Sequence, residues 1–281
     1  MQIKRKNGFF YVSHSFRKQK KVVHREKYLG KRIPDNIEEV KENFIRKCLQ
    51  EDVFKKLNTI KNNYSNEWEK LPESIKRKNV IDLSVKFTYN TNAIEGSTIT
   101  EDETEELIKE RISPNKPLDE VQETINHSRI FLKAINEKRG LLLNLVREWH
   151  QEIFQESKPD IAGKLRDYSV KVRDYRAPDW QDLKKMLDEF FTWYGKNARV
   201  MHTIELAARA HYKFEKIHPF GDGNGRIGRL IVAYSLKRGK MPILTIPNKK
   251  RQSYFHALQK EENYFLLYFI RRYFKEFKPY L

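Results

Sequence analysis

The sequence has a single cysteine, Cys48, among 281 residues. One thiol cannot form an intrachain disulfide, which excludes the small disulfide-stapled secreted domains and leads us to expect a reducing compartment. The chain also lacks an apolar run long enough to cross a bilayer, and its first residues, MQIKRKNGFF, contain no signal-peptide core. From these absences we expect a cytoplasmic protein without a membrane partner.

Acidic residues are scarce relative to basic ones, 38 against 56, which gives a formal net charge of +18. The excess is local, because residues 1–34 contain eleven Lys or Arg and one Glu and leave only +8 for the rest of the chain. Within this segment Phe9–His14 and Lys21–Arg25 are predicted as two strands around a basic turn. Such a hairpin suits an acidic partner, either a target protein or a nucleic acid. A nucleic-acid-binding regulatory protein is therefore our alternative function, but charge confined to one segment makes nucleic acid the less favoured partner.

Chemistry is concentrated in a twelve-residue segment, His218–Arg229, that reads HPFGDGNGRIGR. Its glycines allow the backbone to approach an anion closely, because no Cβ stands in the way. Asn224 and Gly225 are predicted to open a helix, whose free N–H groups favour a phosphate at that end. On this helix Arg226 and Arg229 are three residues apart and share a face. The segment therefore suits a polyphosphate held beside a general base.

The same segment contains the pattern GxGxxG, which is also the dinucleotide fingerprint of Rossmann folds. That fingerprint requires a preceding strand and an acidic residue about 20 residues further on. Residues 202–217 have helical rather than strand spacing, and no acidic residue occurs between Asp222 and Glu261. The sequence therefore excludes a Rossmann site.

The segment resembles the signature of the Fic family, HPFx(D/E)GNGRxxR, at every specified position. The resemblance implies an all-helical core and an enzyme that transfers AMP from ATP to a Ser, Thr or Tyr hydroxyl of a protein. It also implies Mg²⁺ as cofactor, with ATP as substrate. A toxin-like phosphotransferase is disfavoured, because the related kinases of this superfamily depart from GNGR.

The chemistry of each residue type fits such a reaction. A histidine with a pKa near neutrality suits the general base, and a carboxylate suits Mg²⁺ when phosphates complete its ligand set. By resemblance the two arginines hold the β- and γ-phosphates, and the turn holds the attacked α-phosphate as an anion hole. The candidate residues are His218 as base, Asp222 for the metal, and Gly223, Asn224, Gly225, Arg226 and Arg229 for the nucleotide.

A second motif, TNAIEG, spans residues 91–96 and resembles the inhibitory motif (S/T)xxxE(G/N) of one Fic class, with Thr91, Glu95 and Gly96 at the specified positions. Local chemistry predicts a helix that ends here, because Gly96 suits the position after a helix end and Thr100 with Glu103 forms a capping box for the next helix. By resemblance Glu95 pairs with Arg229 and keeps the resting enzyme largely inactive. A role for Glu95 in positioning the water that removes AMP from modified protein stays open.

Between the two motifs, residues 163–175 read GKLRDYSVKVRDY and alternate as a strand does. In the Fic family this place holds the flap, a hairpin over the active site that pairs with the backbone of the target. An ordinary connecting hairpin is the alternative interpretation.

Apolar residues recur at helical spacing through the rest of the chain, which predicts an all-α fold. The resemblance makes this a Fic-type helical bundle with a small β-hairpin flap and a basic N-terminal hairpin. It implies ATP and a target protein with an accessible hydroxyl as partners, while self-modification and a homodimer stay open. We predict four parts: the hairpin extension (1–35), N-terminal helices with the inhibitory motif (36–100), the catalytic core (101–240) and C-terminal helices (241–281).

Overall fold

The structure, a computed structural model, describes residues 1–18, 21–50, 53–172 and 175–281. It divides into two units, one of residues 1–63 with 277–281 and one of residues 64–276. Helices dominate both the chain and its second unit, so the predicted all-α class with small β elements is confirmed. Within the described ranges, none of the helices combines the length and apolar character needed to cross a bilayer.

The first unit begins with an antiparallel sheet of three strands, in the order β1 (Gln2–Lys6), β2 (Phe9–Lys18) and β3 (Lys21–Gly30). The predicted hairpin corresponds to β2 and β3, and part of its basic turn, residues 19–20, lies outside the described residues. The prediction missed β1. Its signal is the Asn7-Gly8 turn, whose two residues adopt positive φ (49° and 80°) as a tight hairpin turn requires.

Two helices follow the sheet, α1 (Ile37–Gln50) and α2 (Val53–Lys70). Residues 51–52, between these two helices in the sequence, lie outside the described residues. Val12 of the sheet packs with Phe44 and Cys48 of α1 in an apolar cluster. This cluster fixes the sheet against the helix, and the buried Cys48 is part of it.

The second unit is a bundle in which α9 occupies the centre. Helix α9 contacts α8, α5, α3 and α6, and its residues are buried on almost every side. A helix buried all round must be largely apolar, and Ile227, Leu230 and Ile231 are fully inaccessible to solvent. The helices of this unit are α3 (Glu73–Glu95), α4 (Glu101–Glu105), α5 (Leu118–Asn136), α6 (Leu143–Phe154), α7 (Leu183–Asn197), α8 (Thr203–Ile217), α9 (Asn224–Arg238), α10 (Arg251–Gln259) and α11 (Glu262–Glu276).

The predicted flap region contains a short hairpin, β4 (Lys171–Val172) with β5 (Tyr175–Arg176). The strand alternation predicted within residues 163–175 is wrong for the part before Lys171, because β4 begins only there. The reason is Arg166, which donates hydrogen bonds to the carbonyls of Tyr168 and Pro178 at 2.9 and 2.7 Å and holds this segment as a loop. Arg173 and Asp174 of the predicted flap lie outside the described residues.

Candidate active site

The signature segment forms the turn between α8 and α9. Helix α8 ends at His218, which adopts the left-handed conformation with φ 50° and ψ 60°, and α9 begins after Gly223, whose φ is 76°. Between them the buried Asn224 side chain accepts from the Phe220 N–H and donates to the Phe220 carbonyl, both at 2.9 Å. Asn224 is therefore committed to closing the turn, and the N-terminal end of α9 faces the site.

The candidate base His218 lies largely buried at the end of α8. Burial, the strongest influence, lowers the pKa of His218 to about 4, although the backbone carbonyl of Glu215 acts to raise it. The backbone carbonyl of His218 accepts a hydrogen bond from Nε of Arg166 at 2.8 Å, which fixes the turn from the flap side. A histidine in this environment is neutral at pH 7 and has a free electron pair for a proton.

A second histidine, His150 of α6, supports the signature turn from beneath. Its Nδ1 accepts from the Gly163 N–H at 2.9 Å, so Nε2 carries the proton and donates to the Asp222 carbonyl at 3.0 Å. Its ring stacks on Phe220 with the centroids 3.9 Å apart. Burial lowers the pKa of His150 to about 4, so the neutral form that makes both bonds persists. Sequence reasoning did not identify this role, because a histidine on an apolar helix face is usually a core residue.

Arg229 of α9 and Glu95 at the end of α3 form an ion pair, as the resemblance predicts. The Arg229 guanidinium is only 3% exposed, and its Nη2 donates to Glu95 Oε1 at 2.5 Å and to the Thr91 carbonyl at 3.2 Å. Tyr254 of α10 accepts from Nη1 at 3.2 Å. Burial disfavours the charged form, but Glu95 and Tyr254 outweigh it and raise the pKa of Arg229 above its ordinary value.

The end of α3 places Glu95 at this position. Gly96 adopts φ 106°, and its N–H donates to the Ala93 carbonyl, so α3 ends at Glu95. The capping box that starts α4 is also present, with both hydrogen bonds between Thr100 and Glu103. These local predictions are confirmed, and together they fix Glu95 on the last turn of α3.

The Glu95 carboxylate lies directly over Gly225. A Cβ built on Gly225 would overlap Glu95 Oε1 and would approach Nη1 of Arg229 to 3.1 Å. Only a glycine therefore leaves room here for an anionic group against the start of α9, where backbone N–H groups and the helix dipole favour negative charge. The anion present in this structure is the chain's own carboxylate.

Beside this pair, a cluster of four charges surrounds the candidate metal ligand. Lys158 Nζ lies 2.7 Å from Asp222 Oδ2 and 3.0 Å from Glu123 Oε1. Arg226 pairs with Glu123 and lies 3.6 Å from Asp222 Oδ2. Burial acts to raise the pKa values of both carboxyls, but the neighbouring cations outweigh it, so the pKa values of Glu123 and Asp222 are lowered and both carboxylates are ionised.

Glu123 and Lys158 belong to the site although sequence reasoning did not select them. Glu123 comes from α5 and Lys158 from the loop after α6, and nothing in their local sequence distinguishes them from surface residues. Together with Glu95, Asp222 and Arg226 they line a cavity of about 210 Å³.

The candidate metal site contains one carboxylate, that of Asp222. The described part of the chain contains no group of three or more His, Cys, Asp or Glu side chains arranged to hold a metal ion. A single carboxylate fits Mg²⁺ when substrate phosphates and water supply the other ligands. Asp222 fits that requirement, because its side chain is 49% exposed at the cavity.

Residues 140–236 match the model of the Fic/DOC family. The chain is 32% identical over 190 residues to a protein adenylyltransferase Fic of Nematostella vectensis, covering 65% of this chain and 44% of that protein. It is 31% identical over 177 residues to the Drosophila melanogaster protein of the same name, covering 61% of this chain and 36% of the relative. The chain thus spans less than half the length of these curated relatives.

Solved structures agree with this assignment. A Fic domain containing signaling protein from Bacteroides thetaiotaomicron superimposes with a TM-score of 0.67 at 26% identity, covering 79% of this chain and 96% of the other. Fic-1 from C. elegans superimposes with a TM-score of 0.72 at 22% identity, covering 88% and 77%, and supports the fold alone. Residues 140–236 thus resemble a Fic/DOC domain, and the matched range includes the signature turn and all but the last two residues of α9.

Proposed function

We propose that this protein is an adenylyltransferase that moves AMP from ATP to a hydroxyl side chain of a target protein. The observation that carries the proposal is the pairing of a neutral, largely buried His218 with the anion-binding turn of a segment that matches the Fic/DOC family. Curated relatives at 31–32% identity bear the name protein adenylyltransferase Fic. The Ser, Thr or Tyr side chain modified and the identity of the target stay open.

In the proposed reaction a target hydroxyl oxygen attacks the α-phosphorus of ATP. The bond from that phosphorus to the oxygen bridging to the β-phosphate breaks, and pyrophosphate leaves with that electron pair. His218 takes the hydroxyl proton, for which its neutral ring is prepared. The N–H groups at the start of α9, from Gly223 to Gly225, stabilise the charge that develops on the attacked phosphate.

Two arginines and one carboxylate complete the proposed site. Arg226 would hold the β-phosphate and Arg229 the γ-phosphate, since a planar guanidinium binds phosphate oxygens in pairs. Asp222 would hold Mg²⁺, which when bound neutralises phosphate charge. The short hairpin of β4 and β5 would pair with the target backbone, which positions a hydroxyl with little dependence on target side chains.

We further propose that Glu95 inhibits the resting protein. It is bound to Arg229 and occupies the space above Gly225, so it competes with the γ-phosphate for both the cation and the volume. The remaining cavity of about 210 Å³ is smaller than ordinary small-molecule sites. This small volume supports the interpretation that the site is in a closed state. Removal of AMP by water is a second candidate, favoured by the carboxylate's location at the anion-binding turn. Self-modification, a homodimer and a cytoplasmic location stay predictions of the sequence.

The test compares wild type with Glu95→Gly and with Glu95→Gly/His218→Ala, each incubated with α-labelled ATP, Mg²⁺ and cell extract. We expect label on protein only with Glu95→Gly, and intact mass measures self-modification in parallel. Glu95→Gly/His256→Ala is the matched control, because His256 is an exposed histidine of α10 and should leave labelling unchanged. Labelling of protein by Glu95→Gly/His218→Ala would contradict the assignment of His218 as the base. Salt-sensitive retention of DNA without any labelling would favour the nucleic-acid-binding alternative.

A further inference from the structure

The side chain of Lys158 occupies the position beside Asp222 where a metal ion would lie. Its loop follows α6 and is held at Lys158 itself, whose N–H donates to the Phe154 carbonyl at 2.8 Å and whose carbonyl accepts from Ile161 and Ala162 at 3.2 and 3.0 Å. These bonds fix the backbone of Lys158 and with it the position from which its side chain extends. The ammonium group then reaches Asp222 Oδ2 at 2.7 Å and lies 5.2 Å from the centre of the Phe154 ring.

Charge in this cluster is balanced without any ligand. The carboxylates of Asp222 and Glu123 carry two negative charges, and Lys158 and Arg226 carry two positive charges. A neutral cluster has little attraction for a free divalent cation. If a divalent cation bound Asp222 Oδ2, the ammonium at that oxygen would lie within a few ångströms of it, and the repulsion would weaken binding.

The two cations differ in their freedom to leave. The Arg226 guanidinium is 6% exposed and lies 4.3 Å from the centre of the Phe154 ring, so it is held in place by packing. The Lys158 side chain is 35% exposed and ends in a point charge on a flexible four-carbon stem. Lys158 can therefore move to a phosphate oxygen at the same cavity while Arg226 stays where it is.

We propose that Lys158 is an internal cation that takes the metal's place at Asp222 and transfers to the nucleotide phosphates when the metal–nucleotide complex binds. The inference rests on the proposed function, which assigns the metal to Asp222. It adds Lys158 to the nucleotide-binding residues and makes the site selective, since free metal ions must displace the lysine and a metal-bound nucleotide supplies the lysine with a new partner.

The test measures Mn²⁺ binding to the nucleotide-free protein by the electron paramagnetic resonance signal of free Mn²⁺. Lys158→Met keeps the apolar stem over Phe154 and removes the charge. Lys164→Met is the matched control, because Lys164 lies on the same loop, its Nζ donates to the Asp160 backbone carbonyl at 3.0 Å, and the substitution changes the net charge equally. Thermal unfolding of each variant checks that the fold is retained.

We expect Lys158→Met to bind Mn²⁺ about tenfold more tightly than wild type, as removal of a charge a few ångströms from a divalent ion requires, and Lys164→Met to stay within about twofold of wild type. Adding Asp222→Asn to Lys158→Met should abolish the gain. With Mn²⁺ and a nonhydrolysable ATP analogue, Lys158→Met should bind the nucleotide about tenfold more weakly, because the phosphate contact is lost.

Unchanged Mn²⁺ affinity in Lys158→Met, or a gain that survives Asp222→Asn, would overturn the inference. AMP transfer by Glu95→Gly is measured separately. Transfer together with unchanged Mn²⁺ affinity would remove the role of Lys158 and leave the proposed function intact. A gain that depends on Asp222, without AMP transfer, would uphold the charge exchange and contradict the proposed function.

Discussion

Replacement of Glu95 by Gln should raise nucleotide affinity and lower stability by related amounts, because one ion pair controls both. The substitution keeps the side chain's shape and removes the charge that faces Arg229. Exposed ion pairs contribute about 0–1 kcal/mol, and breaking a fully buried pair costs about 3–5 kcal/mol. Here Arg229 is 3% exposed and Glu95 is 32% exposed, so the pair lies between these limits. We expect a loss of about 1–3 kcal/mol of unfolding free energy.

The same free energy opposes the nucleotide in the wild type. If Arg229 binds the γ-phosphate, ATP must first displace the Glu95 carboxylate. Removing the charge of Glu95 should therefore tighten ATP binding by the factor that corresponds to the free energy of the ion pair, roughly 5- to 150-fold. Urea unfolding measures the stability, and titration calorimetry with a nonhydrolysable ATP analogue and Mg²⁺ measures the affinity. Glu276→Gln is the control, because it breaks the Lys86–Glu276 pair between α3 and α11, whose charges are 2.8 Å apart and remote from the site. It should cost at most about 1 kcal/mol and leave the affinity unchanged.

Gly225→Ala provides a further control on the same pair. The added methyl would overlap the Glu95 carboxylate and displace it from Arg229, so stability should fall as it does in Glu95→Gln. Nucleotide affinity should not rise, because the methyl then blocks the anion-binding turn. The reasoning is refuted if Glu95→Gln loses stability and binds the nucleotide no better, since the ion pair would then serve the fold alone.

Two pH dependences follow from the buried titratable groups. Burial lowers the pKa of His218 to about 4. The rate of AMP transfer by Glu95→Gly should therefore stay level from pH 8 to about pH 5 and fall below that pH. Half-maximal activity near pH 6.5 would contradict this expectation. Burial raises the pKa of Glu215 from 4.5 to about 7, so the folded state binds more protons than the unfolded state between these values and stability declines as pH rises through them. Glu215→Gln should therefore unfold like wild type at pH 4 and be more stable by about 2–3 kcal/mol at pH 8, as measured by urea unfolding.

Local sequence was sufficient to predict the parts of the site that are built within one turn. The start of α9 at Asn224, the end of α3 before Gly96 and the capping box of Thr100 and Glu103 depend on neighbours within a few residues. The resemblance added the one long-range contact that was predicted, between Glu95 and Arg229, and the structure places these residues together. Their functional roles stay proposals.

Other parts of the site depend on packing that local patterns do not encode. Glu123 and Arg226 are 103 residues apart, and Lys158 and Asp222 are 64 apart. A glutamate on α5 and a lysine in a loop are common surface residues, and only the packing of α5 and α6 beside α9 brings them to the signature turn. Arg166 and His150 are similar cases, because each holds the turn through backbone carbonyls that any sequence would supply.

The two signature arginines have carboxylate partners of different kinds, and this difference explains how the site can be stable and still exchange one partner for a phosphate, as the proposed function requires. A buried guanidinium without a partner is strongly destabilising, so each arginine needs a counter-charge before any ligand arrives. Glu123 lies on a buried face of α5 and also accepts from Ser157 at 2.8 Å, so it is a permanent partner of Arg226. Glu95 lies on the last turn of α3, about one third exposed, where a small change at the helix end removes it from Arg229. The exchangeable partner is thus the one at the helix end, and it is there that the binding of ATP would replace an internal carboxylate with a phosphate.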